Sequence, residues 1–199
     1  KNKSLAGADL TATSFAHSNL SGVDLSGTLL QGTNFWKTNL SGVDFSVISN
    51  AFINGAAFPE ANLSNANFEG VGFFTGVIYK ITKEGDGYLA EEDGAELLER
   101  YFPPPPSVML ITKQAVGNDL QLEFIVYNSF DYANLQNVNF SNTNLRFANF
   151  DSASLTNANL SGADLSNTNL SGADLTGANL ENAVLTNAIL NCKGHPICV

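Results

Sequence analysis

The 199-residue chain has little charge: Asp, Glu, Lys and Arg make up 14% of it, and nine bases face nineteen acids. A net charge of −10 argues against partners that need a basic face, such as nucleic-acid phosphates or an anionic membrane surface. No stretch approaches the ~18 consecutive apolar residues of a spanning helix, so no membrane insertion is expected. Histidine is scarce, with only His17 and His195, and neither has a neighbouring Ser, Cys or carboxylate spaced as a catalytic partner. The glycines do not form a phosphate-cradling loop. The chain therefore reads as not an enzyme, with no catalytic residue and no cofactor. The only two cysteines, Cys192 and Cys198, fall in the last eight residues. Such a pair reads as one short disulfide loop and implies an oxidising compartment, with two free thiols as the alternative. A metal site built from Cys192, His195 and Cys198 lacks a fourth ligand. One Met and one Trp complete the shortages, and repetition with a small alphabet explains them.

The repetition is of five-residue words, twenty-seven in three in-register runs, each centred on Leu or Phe (once Ile). The first run has centres from Leu5 to Phe45, the second from Ile53 to Phe73, and the third from Phe130 to Leu190. A period of five fits neither the 3.6 of a helix nor the 2.0 of a strand, so the chain must turn at every fifth residue. With the centre labelled i, position i−2 is small or β-branched (Ala8, Thr33, Val43, Ala163) and i−1 is mostly Asp or Asn. Residues i−2 and i share the inward face of a short extended segment, and i−1 points out. Gly or Asn fills i+2 in 17 of the 27 words, which places the turn there, because these residues tolerate positive φ. The segment from Asn19 to Ser26 recurs from Asn39 to Ser46, and this favours four words per coil. Coils stack about 4.8 Å apart, and nearly seven of them make a rod roughly 30 Å long.

Words such as Ala8-Asp9-Leu10, Ala163-Asp164-Leu165 and Ala173-Asp174-Leu175 resemble the pentapeptide repeat family. The resemblance covers about two thirds of the chain and implies an all-β fold, a right-handed quadrilateral parallel β-helix. It also suggests a cyanobacterial type of source.

Two interruptions divide the solenoid. A frame shift of three residues falls at 48–50, within the first part of the coil, residues 1–75. Residues 76–127 lack the period and read as a small α/β insertion. Val77, Tyr79 and Ile81 alternate like a strand before a turn at Gly85-Asp86-Gly87. Asp93 with Glu96 resembles a capping box opening a helix through Leu97, Leu98 and Tyr101, which Pro103 to Pro106 ends. Strands are expected at Val108 to Thr112 and at Leu120 to Tyr127. The second part of the coil spans 128–191, and 192–199 is a C-terminal capping tail. Trp36, Phe52, Phe74, Tyr132 and Phe147 occupy outward positions that ought to be polar, and are expected to seat the insertion. The chain opens Lys1-Asn2-Lys3 without Met or a signal peptide, as a processed or a trimmed protein would.

These features point to a non-catalytic scaffold, a structural or protein-binding module with an unidentified protein partner. Its recognition surface is expected at Glu91, Glu92, Asp93, Glu96 and Glu99, beside the proline run. The same acidic residues support a calcium-binding alternative, although their spacing does not match an EF-hand loop. The resemblance brings a further alternative, since some members of the family protect DNA gyrase from quinolones by mimicking duplex DNA. Outward acids offer that mimicry only one stack, Asp24 over Asp44. The oligomeric expectation is a monomer, or a dimer through an open end of the solenoid. The cysteine pair favours export, to a periplasm or a thylakoid lumen, with the cytoplasm as the alternative.

Overall fold

A computed structural model describes residues 3–48, 53, 56–71, 79–84, 87–90, 108–116, 119–126 and 128–199. Each described word forms one wall of a coil. The residue at i−1 makes a parallel bridge to its counterpart one coil on, and i+1 and i+2 turn the corner. Bridges such as Ser4–Asp24, Asn19–Asn39 and Asn139–Asn159 span 20 residues, so four words close each coil. The backbone N–H of residue i and that of i+2 both donate to the next coil, as in Phe15–Asn34 (2.8 Å) and His17–Trp36 (2.9 Å). The i−1 side chain braces the corner from outside: Oδ1 of Asp24 accepts from the Ser26 N–H (3.0 Å) and hydroxyl (2.7 Å). This accounts for the Asp or Asn before the centre and the Ser or Thr after it, because the pair satisfies a turn's polar groups locally.

Walls are numbered in the order the chain visits them. Wall one carries Leu5, Leu25, Phe45, Phe68, Phe140, Leu160 and Leu180; wall three carries Phe15, Phe35, Phe58, Phe130, Phe150, Leu170 and Leu190. The described central side chains from Leu25 to Leu175 are buried, with alanines, valines and threonines from i−2 filling the space between them. The buried threonines satisfy their hydroxyls on backbone carbonyls, as Thr33 does on Leu10 (2.9 Å) and Thr143 on Phe68 (2.7 Å).

Both interruptions are absorbed without loss of register. After the three extra residues the bridges Asn34–Ala57, Asn39–Asn62 and Asp44–Asn67 keep each wall over its predecessor at a spacing of 23. Across the insertion the spacing is 72, in Ala57–Ser129, Asn62–Asn134 and Asn67–Asn139. The coil is left beyond Val71, whose carbonyl accepts from Asn144 (3.1 Å), and resumed at Asn128, whose carbonyl accepts from Asn149 (3.0 Å). Two phenylalanine columns span this seam. Phe58 stacks on Phe130 with ring centroids 5.1 Å apart, Phe68 on Phe140 at 5.0 Å, and edge-to-face pairs such as Phe68–Phe130 (6.2 Å) tie the columns together.

Within 76–127 four strands are described: β1 (Tyr79–Glu84), β2 (Gly87–Ala90), β3 (Val108–Val116) and β4 (Asp119–Val126). They form one antiparallel sheet in the order β2-β1-β4-β3, with a register irregularity between Leu110 and Thr112. The strand β2 was not expected from the sequence, and β3 runs four residues past the expected end at Thr112. The helix expected after Asp93 lies outside the described residues, as does the proline run.

At the C-terminus Cys192 and Cys198 are disulfide-bonded. Lys193 adds a last rung, exchanging backbone hydrogen bonds with Ala173 and Leu175 (2.9 Å each), and its ammonium lies 3.4 Å from Asp174. Gly194 follows at φ +82°, where a Cβ would come within 2.8 and 2.9 Å of the Thr176 backbone N and Cα. Gly194→Ala is therefore expected to cost about 1–3 kcal/mol through combined strain and clash. Gly22→Ala, at φ +60° with nothing within 4 Å, carries only the left-handed penalty of about 1 kcal/mol. Chemical denaturation of the two variants makes the comparison, and equal losses would show that the tail does not close tightly on Thr176.

Candidate interaction ridge

The four corner ridges of the solenoid are built from i+2 residues and differ in composition. Following wall four, successive coils place Gly22, Gly42, Asn65, Asn137, Asn157 and Gly177 at positive φ, the residues for which that backbone is least costly. The ridge following wall three places His17 (φ 60°), Lys37 (53°), Glu60 (53°), Tyr132 (56°) and Ser152 (56°) before it reaches Gly172. Five consecutive coils there hold a side chain other than Gly or Asn in a left-handed conformation. A bulky residue such as Tyr132 is out of place in it.

The upper half of this ridge is a connected cluster. The Trp36 indole N–H donates to Glu60 Oε1 (3.0 Å), and Lys37 Nζ lies 3.3 Å from Glu60 Oε2 and 4.7 Å from the Trp36 ring centroid. The His17 ring meets Trp36 edge-on at 4.8 Å. The Glu60 carboxyl is held below the ordinary range, first by the Trp36 indole N–H and then by Lys37. Lower down, the Glu60 N–H donates to the Asp131 carbonyl and the Tyr132 N–H to that of Asp151 (2.8 Å each). The Ser129 hydroxyl donates to Asp131 Oδ1.

Trp36 and Tyr132 thus share one ridge, 38% and 60% exposed. Phe147 belongs to the ridge following wall two; it is half-buried at φ 60°, with the Arg146 guanidinium 5.9 Å from its ring centroid. Phe52, Phe74 and the acidic residues Glu91, Glu92, Asp93, Glu96 and Glu99 lie outside the described residues. The acids expected to stack, Asp24 and Asp44, hold successive i−1 positions of wall one, and on their other sides Asp24 bridges to Ser4 and Asp44 to Asn67. Asp44 then heads a column of uncharged amides, receiving Asn67 Nδ2 at 3.0 Å and continuing through Asn139 (3.1 Å) and Asn159 (3.2 Å). The Asp24 carboxyl is lowered, chiefly by the Ser26 N–H and hydroxyl, and that of Asp174 by the Thr176 hydroxyl and N–H, as corner bracing predicts.

Lys37, Glu60, Asp131 and Asp151 were not singled out from the sequence, and His17 was weighed there only as a histidine without a catalytic partner. The signal was available: reading i+2 residues at every fourth word, with the three extra residues removed, lines up His17, Lys37, Glu60 and Tyr132. Among the described residues no group of His, Cys, Asp or Glu is placed to hold a metal ion, and no helix is long and apolar enough to cross a membrane.

Comparisons with known proteins place these features in a family. The model for pentapeptide repeats matches in eight copies over residues 5–46, 133–172 and 163–192, together just over half of the chain. No curated protein matches. Among solved structures, the pentapeptide repeat protein Rfr23 from the cyanobacterium Cyanothece 51142 is 19% identical, with 96% of this chain and 91% of that one covered at a TM-score of 0.31. A trypsin-treated form of QnrB1, a plasmid-mediated fluoroquinolone resistance protein, is 18% identical over 94% and 82% of the two chains, at 0.43. A pentapeptide repeat protein from the Arabidopsis thaliana thylakoid lumen is 19% identical over 88% and 70%, at 0.28. With the repeat read directly from the coil geometry and matched by the family model, the chain belongs to the pentapeptide repeat family.

Proposed function

We propose that this protein is a non-catalytic scaffold that binds another protein along the ridge following wall three. The observation that carries this reading is the run of costly left-handed residues from His17 to Tyr132, where the repeat elsewhere mostly uses Gly or Asn. Strained positions persist where the surrounding structure holds them, and they gather at binding surfaces. Exposed Trp and Tyr supply the rigid, amphipathic contacts on which protein interfaces depend most. The scaffold behind them is a right-handed quadrilateral β-helix in two parts, 1–75 and 128–191, closed by the tail 192–199. Its α/β insertion, 76–127, adds a second contact through Glu91, Glu92, Asp93, Glu96 and Glu99. The Cys192–Cys198 bond supports an exported location, a periplasm or thylakoid lumen.

The test is site-specific photocrosslinking in extracts of the source cells. A photoreactive phenylalanine analogue at Tyr132 is expected to capture a discrete protein species. The same group at Asn157, on the ridge following wall four, is expected to capture none. Equal capture at both positions, or none at either, removes the assignment of this ridge.

A further inference from the structure

We propose that the lower half of the ridge seats a guanidinium group of the partner protein, over the Tyr132 ring and between Asp131 and Asp151. This deepens the reading of the ridge as a protein-binding surface and rests on it. The inference comes from a pattern that is complete at two places and lacks only its cation at a third. At Trp36 the chain provides its own cation, Lys37, which lies over the ring with Glu60 as its carboxylate partner. At Phe147 it provides Arg146, whose guanidinium lies over the ring and 4.0 Å from Asp164. Tyr132 is the most exposed of the three aromatics; it directly follows Asp131 and donates its backbone N–H to the carbonyl of Asp151 on the next coil. Among the described residues, no cation lies over it and neither Asp131 nor Asp151 forms an ion pair.

The chemistry of the seat selects its occupant. Asp131 and Asp151 hold corresponding corner positions on adjacent coils, so their backbones are about 4.8 Å apart. The Ser129 hydroxyl fixes the Asp131 carboxylate. A planar guanidinium offers one face to the phenol ring and its N–H edges to two carboxylates, a combination a compact ammonium matches less well. The ridge is convex, and a free small molecule needs a cavity that buries most of its surface. A protein brings its own surface to the ridge, and an arginine projecting from it meets a chain whose net charge is −10.

The experiment titrates the ¹⁵N-labelled full chain with the capped tripeptide acetyl-Gly-Arg-Gly-amide, following backbone amide shifts. Saturable shifts are expected at Asp131, Tyr132, Asp151 and Ser152. They should weaken at least threefold with the Lys tripeptide and vanish with the Gln tripeptide. Tyr132→Asn should abolish them while raising the thermal midpoint, because Asn suits the left-handed corner better than Tyr. The gain in stability separates lost recognition from lost folding. Shifts of equal affinity at Asp9 and Asp24, or a response unchanged in Tyr132→Asn, would overturn the proposal. If the crosslink at Tyr132 persists while the Arg tripeptide gives no localised shift, the guanidinium assignment fails and the protein-binding reading stands.

Discussion

Replacing Phe130 by Ala is expected to destabilise the protein by about 3–5 kcal/mol, the usual cost of emptying a buried aromatic site. The ring is fully buried between Phe58 (5.1 Å) and Phe150 (5.0 Å), and it meets Phe68 and Phe140 edge-on at 6.2 and 5.6 Å. Its position puts that loss at the seam of the solenoid. In a solenoid each coil is held almost wholly by its two neighbours, so stability is a sum of nearest-neighbour interfaces. Phe130 belongs to the first wall the chain builds after the insertion. There the hydrogen-bonded partners are 72 residues apart, and closing that loop carries a somewhat larger entropic cost than closing a 20-residue coil. Phe15, half-buried in the first coil with a single stacking partner at 5.8 Å, is the control. Phe15→Ala is expected to lose about half as much or less. Urea denaturation followed by circular dichroism gives the comparison. If Phe130→Ala loses no more than Phe15→Ala, the columns do not brace the seam.

The parts of the fold legible in the sequence are those set by local sterics and repeated many times. A corner every five residues needs a positive φ, and the Gly and Asn that tolerate it recur visibly. The centre must be large and apolar because it fills most of the tube, with small i−2 side chains between, so Leu and Phe mark it throughout. Four words per coil was readable only as a tendency, from one 20-residue recurrence, because near-copies ten residues apart obscure it. What stayed hidden depended on stacking. Trp36 and Glu60 are 24 residues apart, and they meet only because three extra residues are absorbed within one coil. Tyr132 looked like one more outward aromatic until the 72-residue step placed it on the same ridge as Lys37 and Glu60. The strand β2 is only four residues long, too short to declare itself by alternation before the chain is seen paired.

Asn128→Ala is expected to raise stability, by about 1–3 kcal/mol, although it removes a side chain from the core. Asn128 occupies the inward i−2 position of the word that restarts the coil, and it is 1% exposed. Among the described residues neither its Oδ1 nor its Nδ2 has a hydrogen-bond partner, whereas threonines at equivalent positions satisfy theirs on backbone carbonyls. Burying an amide without partners forfeits its hydration, and both of its polar atoms carry that penalty. Against this stands the space left by truncation, worth on the order of 1 kcal/mol for a side chain of this size. The coils on either side already hold Ala56 and Ala148 at this position, 0% and 1% exposed, so Ala fits the wall without rearrangement. The desolvation term is the larger, and the sign is stabilising. Thr33→Ala supplies the opposite case: it removes a satisfied hydroxyl and its bond to Leu10, and should cost about 1 kcal/mol. Both variants are read by urea midpoint at constant slope. A fall in midpoint for Asn128→Ala would mean that the amide holds a buried water or another polar partner inside the tube, and that the coil restarts with a satisfied group.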